Sequence, residues 1–143
     1  MDEPENEPLP IVHILVEEDF FWEKVDSTLR ALAKEPFTPD WQGDVAAQLR
    51  AADGTAAVID LENEAIQPLE LVRELRAESE DRPAIPVLAY ASYDREDLLH
   101  EAEGLGARTV ARSTFASSLV RLLQELTAED DEAGAGESEP AKS

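Results

Sequence analysis

The sequence predicts an α/β fold of three layers, with a parallel β-sheet between two layers of helices. Nearly continuous apolar runs at residues 11–16, 56–61 and 84–91 indicate strands that are buried on both faces. The stretches between them carry apolar residues at helical spacing. Alternation of strands and helices with short connections is typical of a parallel sheet that helices cover on both sides.

The full pattern comprises five strands and five helices. The fourth apolar run, at residues 107–111, is weaker, and a strand near 35–41 carries two prolines that weaken the prediction. The predicted helices lie near residues 21–32, 43–52, 69–75, 94–103 and 115–126. Five such strands fit the flavodoxin-like order 2-1-3-4-5. In that order, ligands bind at the carboxyl ends of the strands, where the chain reverses between the first strand and the third.

The length and composition favour one ordered domain with an acidic tail at each end. A chain of 143 residues suits a single domain with a real hydrophobic core. We expect this domain to span residues 10–128. The acidic segments 1–9 and 129–143 lack apolar periodicity and have the composition of disordered tails.

The charge, the lack of cysteine and the first residues each argue against a class of function or location. A net charge of −21 repels nucleic acids and anionic lipids, and there is no basic patch to bind phosphates, so neither nucleic acid nor membrane is an expected partner. The absence of cysteine excludes disulfides and thiolate metal sites. The first residues have neither the basic nor the apolar region of a signal peptide, and we expect a cytoplasmic protein.

Four carboxylates follow the strands that meet at the predicted reversal point. Glu17, Glu18 and Asp19 come after the first strand, and Asp60 ends the third. Clustered carboxylates repel one another, and Mg²⁺ is a cation that one or two of them can hold. A carboxylate such as Asp60 can also accept a phosphoryl group. In the simpler interpretation Asp60 is a solvated residue at a strand end and Asp19 caps the following helix.

Four segments, in this order, resemble response-regulator receiver domains over about residues 11–126. They read HILVEED, VIDLENEAIQPLELVRELR, IPVLAYAS and GARTVARSTF. The resemblance implies that Asp60 is the phosphoryl acceptor and that Glu17, Glu18 and Asp60 bind Mg²⁺. It places Glu62 at the rim of the same pocket.

The chain departs from the family pattern around this pocket. Ala91 stands where the family has serine or threonine, and Ser92 follows one residue later. Ser113 stands where the family has lysine, and Arg112 precedes it by one residue. Val110 occupies the position of the family's switch aromatic. A shift of one residue at each strand end would return Ser92 and Arg112 to the pocket.

The sequence leaves three functional hypotheses open. The first is a stand-alone, atypical receiver domain in signal transduction. It would bind a protein partner through the α4-β5-α5 face (the fourth helix, the fifth strand and the fifth helix), with a sensor kinase or a small phosphodonor acting on Asp60. The second is a phosphorylation-independent pseudo-receiver that serves as an adaptor or homodimerisation module. The third, a flavodoxin-like ligand binder or enzyme, is disfavoured because G-x-G-x-x-G, Walker A and G-x-S-x-G motifs are absent, so we expect no enzymatic activity.

Overall fold

The structure is a computed structural model that describes residues 8–80 and 82–135. Its strands are β1 (Ile11–Leu15), β2 (Glu35–Phe37), β3 (Ala56–Asp60), β4 (Val87–Ala91) and β5 (Arg108–Ala111). Its helices are α1 (Asp19–Ala31), α2 (Val45–Ala52), α3 (Pro68–Arg76), α4 (Glu96–Gly104), α5 (Arg112–Ser117) and α6 (Leu119–Ala135).

All five strands are parallel and lie in the order β2-β1-β3-β4-β5, which confirms the predicted topology. The register aligns the last residues of neighbouring strands. Asp60 lies opposite Tyr90, and Ala91 lies opposite Ala111. The chain reverses between β1 and β3, so the turns that follow these strands share one edge of the sheet.

Alternate residues of the strands pack into two separate hydrophobic cores. Ala56 and Val58 of β3 face a core formed with α1, α5 and α6. Ala57 and Ile59 face a second core formed with α2, α3 and α4. This division follows from the strand geometry, because successive side chains point to opposite faces of a sheet. It also explains why these strands are apolar throughout.

The starts of α1 and α2 depend on acidic caps. Glu18, not the predicted Asp19, is the N-cap of α1, and its carboxylate accepts a hydrogen bond of 3.4 Å from the N–H of Phe21. The reason is conformational, because Glu18 has the extended backbone of a cap whereas Asp19 is already helical. Asp44 caps α2 by accepting from the N–H of Ala47 at 3.1 Å.

The last predicted helix is divided in two, which gives six helices in the described residues where the sequence predicts five. Ser118 separates them with non-helical backbone angles (φ −123°, ψ 27°). The second of the two, α6, continues to Ala135 and so enters the segment 129–143 that the sequence predicts to be a disordered tail. Alanine and glutamate in this stretch favour helix. Residues 1–7 and 136–143 of the two predicted tails lie outside the described residues.

Within residues 8–80 and 82–135, no helix has both the length and the apolar character needed to cross a membrane.

Candidate functional site

Asp60 ends β3 at the carboxyl edge of the sheet, and only 6% of it is exposed. Its Oδ1 accepts a hydrogen bond of 2.9 Å from the N–H of Glu62, and its carbonyl oxygen accepts one of 3.0 Å from the N–H of Asn63. The Nδ2 of Asn63 donates to the carbonyl oxygen of Leu15 at 3.2 Å. The turn after β3 is therefore folded around the Asp60 carboxylate and tied to the end of β1.

Glu62 connects this turn to the ends of β4 and β5. Its Oε1 accepts hydrogen bonds from Arg112 Nη2 at 2.6 Å, from the N–H of Ser92 at 3.3 Å and from Ser92 Oγ at 3.3 Å. The structure therefore brings both Ser92 and Arg112 to the predicted pocket. Both bond to Glu62, and no hydrogen bond joins either of them to Asp60 within the described part of the chain.

An aromatic stack supports the guanidinium of Arg112. Arg112 Cζ lies 5.6 Å from the ring centroid of Tyr90 and 5.9 Å from that of Phe21. Tyr90 is fully buried and stacks on Phe115, with ring centroids 4.1 Å apart and an interplanar angle of 18°. Tyr90 and Phe21 thus contact the guanidinium by cation–π interaction, while Glu62 binds its Nη2.

The electrostatics assign different protonation behaviour to the two carboxylates. Burial raises the pKa of Asp60, against the opposing influence of the Glu62 N–H and of the Arg112 charge, and Glu62 and Glu18 reinforce the rise. Partial burial acts to raise the pKa of Glu62, but the bonds from Arg112 and Ser92 outweigh it, so this pKa falls below its usual value. Glu62 is therefore a stable anion, and Asp60 is the carboxylate that takes up a proton more readily.

The predicted metal ligands follow β1 and end β3, and the charge of Glu18 acts on the Asp60 carboxylate. Glu17 and Glu18 are exposed at the start of α1, and the Glu18 carboxylate is engaged as the helix cap. Across residues 8–80 and 82–135, no group of three or more His, Cys, Asp or Glu side chains is arranged to hold a metal ion. The described carboxylates thus form no three-ligand site, and the assignment of Glu17, Glu18 and Asp60 to Mg²⁺ stays a prediction. The guanidinium of Arg112 instead supplies positive charge to the pocket.

Two of the predicted pocket positions lie beside the network without joining it. Ala91 is fully buried at the end of β4, and Ser113 is exposed on α5. Neither the Glu62–Arg112 pair nor the Tyr90–Phe115 stack is among the contacts that the sequence predicts. The strand order offers a signal for the pair, because the turns after β3 and β5 both border β4, and one carries an acid and the other a base.

Comparison with solved structures identifies the fold as that of response-regulator receiver domains. The chain is similar to a CheY-like receiver domain protein from Methanospirillum hungatei, with a TM-score of 0.70 and 14% identity over 87% of this chain and 98% of that one. A response regulator from Chloroflexus aurantiacus gives a TM-score of 0.68 and 17% identity, over 85% and 99% of the two chains. The chemotaxis response regulator CheY4 of Vibrio cholerae gives 0.66 and 18% identity, over 82% and 98%.

No protein-family model matches the sequence, and no curated protein does. The sequence identities to these solved structures are below a fifth, so the structural similarity establishes the receiver fold alone. The roles of the pocket residues have to be argued from their own geometry.

Proposed function

We propose that this protein is a non-enzymatic signalling module with the receiver fold, which acts through protein–protein contacts and does not depend on phosphorylation of Asp60. The observation that carries the proposal is the bonding of Glu62 Oε1 to Arg112 and Ser92. Guanidinium and hydroxyl groups are the donors that an aspartyl phosphate would need for its oxygens. Here an ionised carboxylate of the protein already occupies both.

The surroundings of Asp60 also oppose the transfer. A phosphoryl group on Asp60 would add negative charge beside Glu62 and Glu18, in a place where the described carboxylates form no metal site. The attacking carboxylate is 6% exposed, and burial raises its pKa. Phosphoryl transfer depends on cations that neutralise the phosphoryl oxygens. The guanidinium that acts on Asp60, that of Arg112, is bound to Glu62.

A second candidate keeps phosphorylation at Asp60 by a sensor kinase or a small phosphodonor. One observation favours it, because the charge of Arg112 acts on the Asp60 carboxylate. Arg112 would then have to leave Glu62 for the phosphoryl oxygens.

We place the protein partner on the face of α4, β5 and the predicted fifth helix, which the structure divides into α5 and α6, beside this network. Tyr93 follows Ser92 directly and is 77% exposed, which is unusual for a large aromatic residue. Exposed carboxylates follow it along the chain, in the turn and on α4 (Asp94, Glu96, Asp97, Glu101 and Glu103). Exposed tyrosines often anchor protein interfaces, and the acidic surroundings favour a partner with a basic rim. A second copy of the chain is the other occupant consistent with an adaptor.

The deciding experiment is incubation with Mg²⁺ and acetyl phosphate followed by intact mass measurement. We expect no phosphoryl adduct on the wild-type protein. Asp60→Asn is the matched control, and a receiver domain that accepts phosphate from the same donor, treated in parallel, shows that the reagent is active. An adduct on the wild type that disappears in Asp60→Asn would overturn the proposal and establish the second candidate.

A variant separates the two explanations for an inert Asp60. Glu62→Gln removes the anion that binds Arg112 and Ser92 while keeping the size of the side chain. An adduct that forms only in Glu62→Gln would show that Glu62 blocks the site. If Glu62→Gln stays unmodified as well, features of the site other than the Glu62 anion, such as the burial of Asp60, keep Asp60 inert.

A further inference from the structure

A cleft of about 540 Å³ lies at the amino ends of the strands, on the opposite edge of the sheet from Asp60. The carboxyl ends of α2 and α3 and the segments that lead into β3 and β4 enclose it. Its walls are mainly apolar and include Leu49, Leu75 and Ile85. Volumes of roughly 300–1,000 Å³ with apolar walls and a few polar groups are typical of small-molecule sites.

The cleft gathers positive charge in a strongly negative protein. Arg50, Arg76 and Arg82 line it, which is three of the twelve Lys and Arg residues of the chain. Arg50 is ion-paired with Glu74, and Arg76 Nη1 donates to the carbonyl oxygen of Ile85 at 3.0 Å. The guanidinium of Arg82 forms no ion pair with any residue that the structure describes. It is therefore the cation most available to a ligand.

His13 supplies a buried and unsatisfied polar group to the lining. It is 1% exposed, and its Nε2 accepts a hydrogen bond of 3.2 Å from the N–H of Gly54. This bond places the ring proton on Nδ1, for which the described residues offer no acceptor. Nδ1 is thus a buried donor that none of the described residues satisfies, on a residue that lines the cleft.

The charges of the lining residues indicate which ligand charge the cleft favours. The lining contains three arginines and two carboxylates, those of Asp53 and Glu74. Burial lowers the pKa of His13 to about 4, so its imidazole is neutral near pH 7. The lining therefore has one positive charge in excess, which one negative charge on a ligand balances. A carboxylate suits the planar guanidinium, and the apolar walls suit a hydrocarbon body.

We propose that this cleft is a binding site for a small amphipathic monocarboxylate, with its apolar body against Leu49, Leu75 and Ile85 and its carboxylate on Arg82. The site is separate from the Asp60 pocket and does not depend on the function proposed for it.

The test uses cinnamate and its neutral analogue cinnamamide as probes of the full-length protein. In proton–nitrogen correlation NMR, cinnamate produces saturable shifts at the amides of Gly54, Thr55 and Ile85. Cinnamamide binds about tenfold more weakly or worse, because it lacks the charge that strengthens a hydrogen bond to guanidinium. Equal affinity of the two probes overturns the proposal. So does the absence of saturable shifts at concentrations on the order of 1 mM.

Three variants locate the site. Arg82→Gln weakens cinnamate binding about tenfold, because it removes the charged donor. Ala84→Leu fills the cleft and abolishes binding, with circular dichroism to show that the fold is retained. Arg121→Gln removes an exposed arginine of α6, outside the cleft, and leaves the affinity unchanged. Wild-type affinity in both Arg82→Gln and Ala84→Leu, or cinnamate shifts that map elsewhere, would place the ligand outside this cleft and sink the proposal.

Discussion

Arg112 Nη2 lies 2.6 Å from Glu62 Oε1, which joins the first residue of α5 to the turn after β3 across the end of β4. The same carboxylate oxygen accepts both hydrogen bonds from Ser92. One side chain thus connects the turns that follow three neighbouring strands. Through Arg112 this arrangement also acts on Asp60, whose charge the guanidinium stabilises.

Arg112→Gln is expected to raise the pKa of Asp60 further. The guanidinium is one of the two influences that lower this pKa against burial, so its loss leaves the burial less opposed. Carbon-13 NMR titration of the Asp60 carboxyl group measures the change. Arg95→Gln is the control, because it removes an exposed guanidinium that pairs with Asp97 on α4. An Asp60 pKa that is the same in Arg112→Gln and in the wild type would contradict the assignment.

Asp60→Asn is expected to increase the free energy of unfolding near neutral pH. A carboxyl group whose pKa is raised on folding costs stability above that pKa, and the cost fades as the pH falls through the folded value towards the ordinary one. Asparagine is neutral throughout and keeps an Oδ1 to accept from the Glu62 N–H. Urea unfolding over a pH series measures this. A wild type that is more stable than the variant near pH 7 would count against a raised Asp60 pKa.

His13 is expected to make the protein sensitive to acid. Burial lowers its pKa from 6.5 to about 4. The folded state is therefore fully stable with respect to this group above pH 6.5, and it loses stability as the pH falls from 6.5 towards 4. The loss amounts to about 3 kcal/mol over that window, taking 1.36 kcal/mol per pKa unit.

Urea unfolding of wild type, His13→Leu and His100→Gln between these pH values isolates the effect of His13. The difference in free energy of unfolding between wild type and His13→Leu should change between pH 6.5 and pH 4. The exposed His100 serves as the control, and its variant should follow the wild-type curve. A gap that stays constant with pH would refute the prediction.

Gly54→Ala is expected to destabilise the fold by about 1–3 kcal/mol, the usual cost of overpacking. A Cβ at this position would lie 2.4 Å from His13 Nε2, and the imidazole is enclosed in the core and cannot move freely. Gly104→Ala is the matched control, because a Cβ there meets nothing within 4 Å at the end of α4. Thermal and urea unfolding of both variants gives the comparison. Equal stability of the two would show that the core yields at His13.

The sequence was sufficient for the topology because the three central strands, β1, β3 and β4, are buried on both faces. Runs such as the one that forms β3 carry no polar alternation, and such runs separated by helices leave few arrangements open. The position of Asp60 follows directly, since it is the polar residue that ends such a run.

The details of the pocket depend on information that periodicity does not hold. β5 is only partly buried, so its pattern is too weak to decide whether Arg112 or Ser113 reaches the pocket. The choice between Glu18 and Asp19 as the cap rests on backbone angles of adjacent, chemically similar residues. The predicted magnesium ligands follow strands at one edge of the sheet, but which side chains would contact a metal ion there depends on geometry that periodicity does not hold.

The sheet separates two hydrophobic cores that do not share side chains. Each strand residue belongs to one side, so a change of volume at Val58 is met by α1, α5 and α6, and one at Ile59 by α2, α3 and α4. Sequence drift on one side is thus not constrained by packing on the other. At the carboxyl edge of the sheet, the hydrogen bonds of Glu62 cross the strand ends. Substitutions in either core can therefore affect this one network.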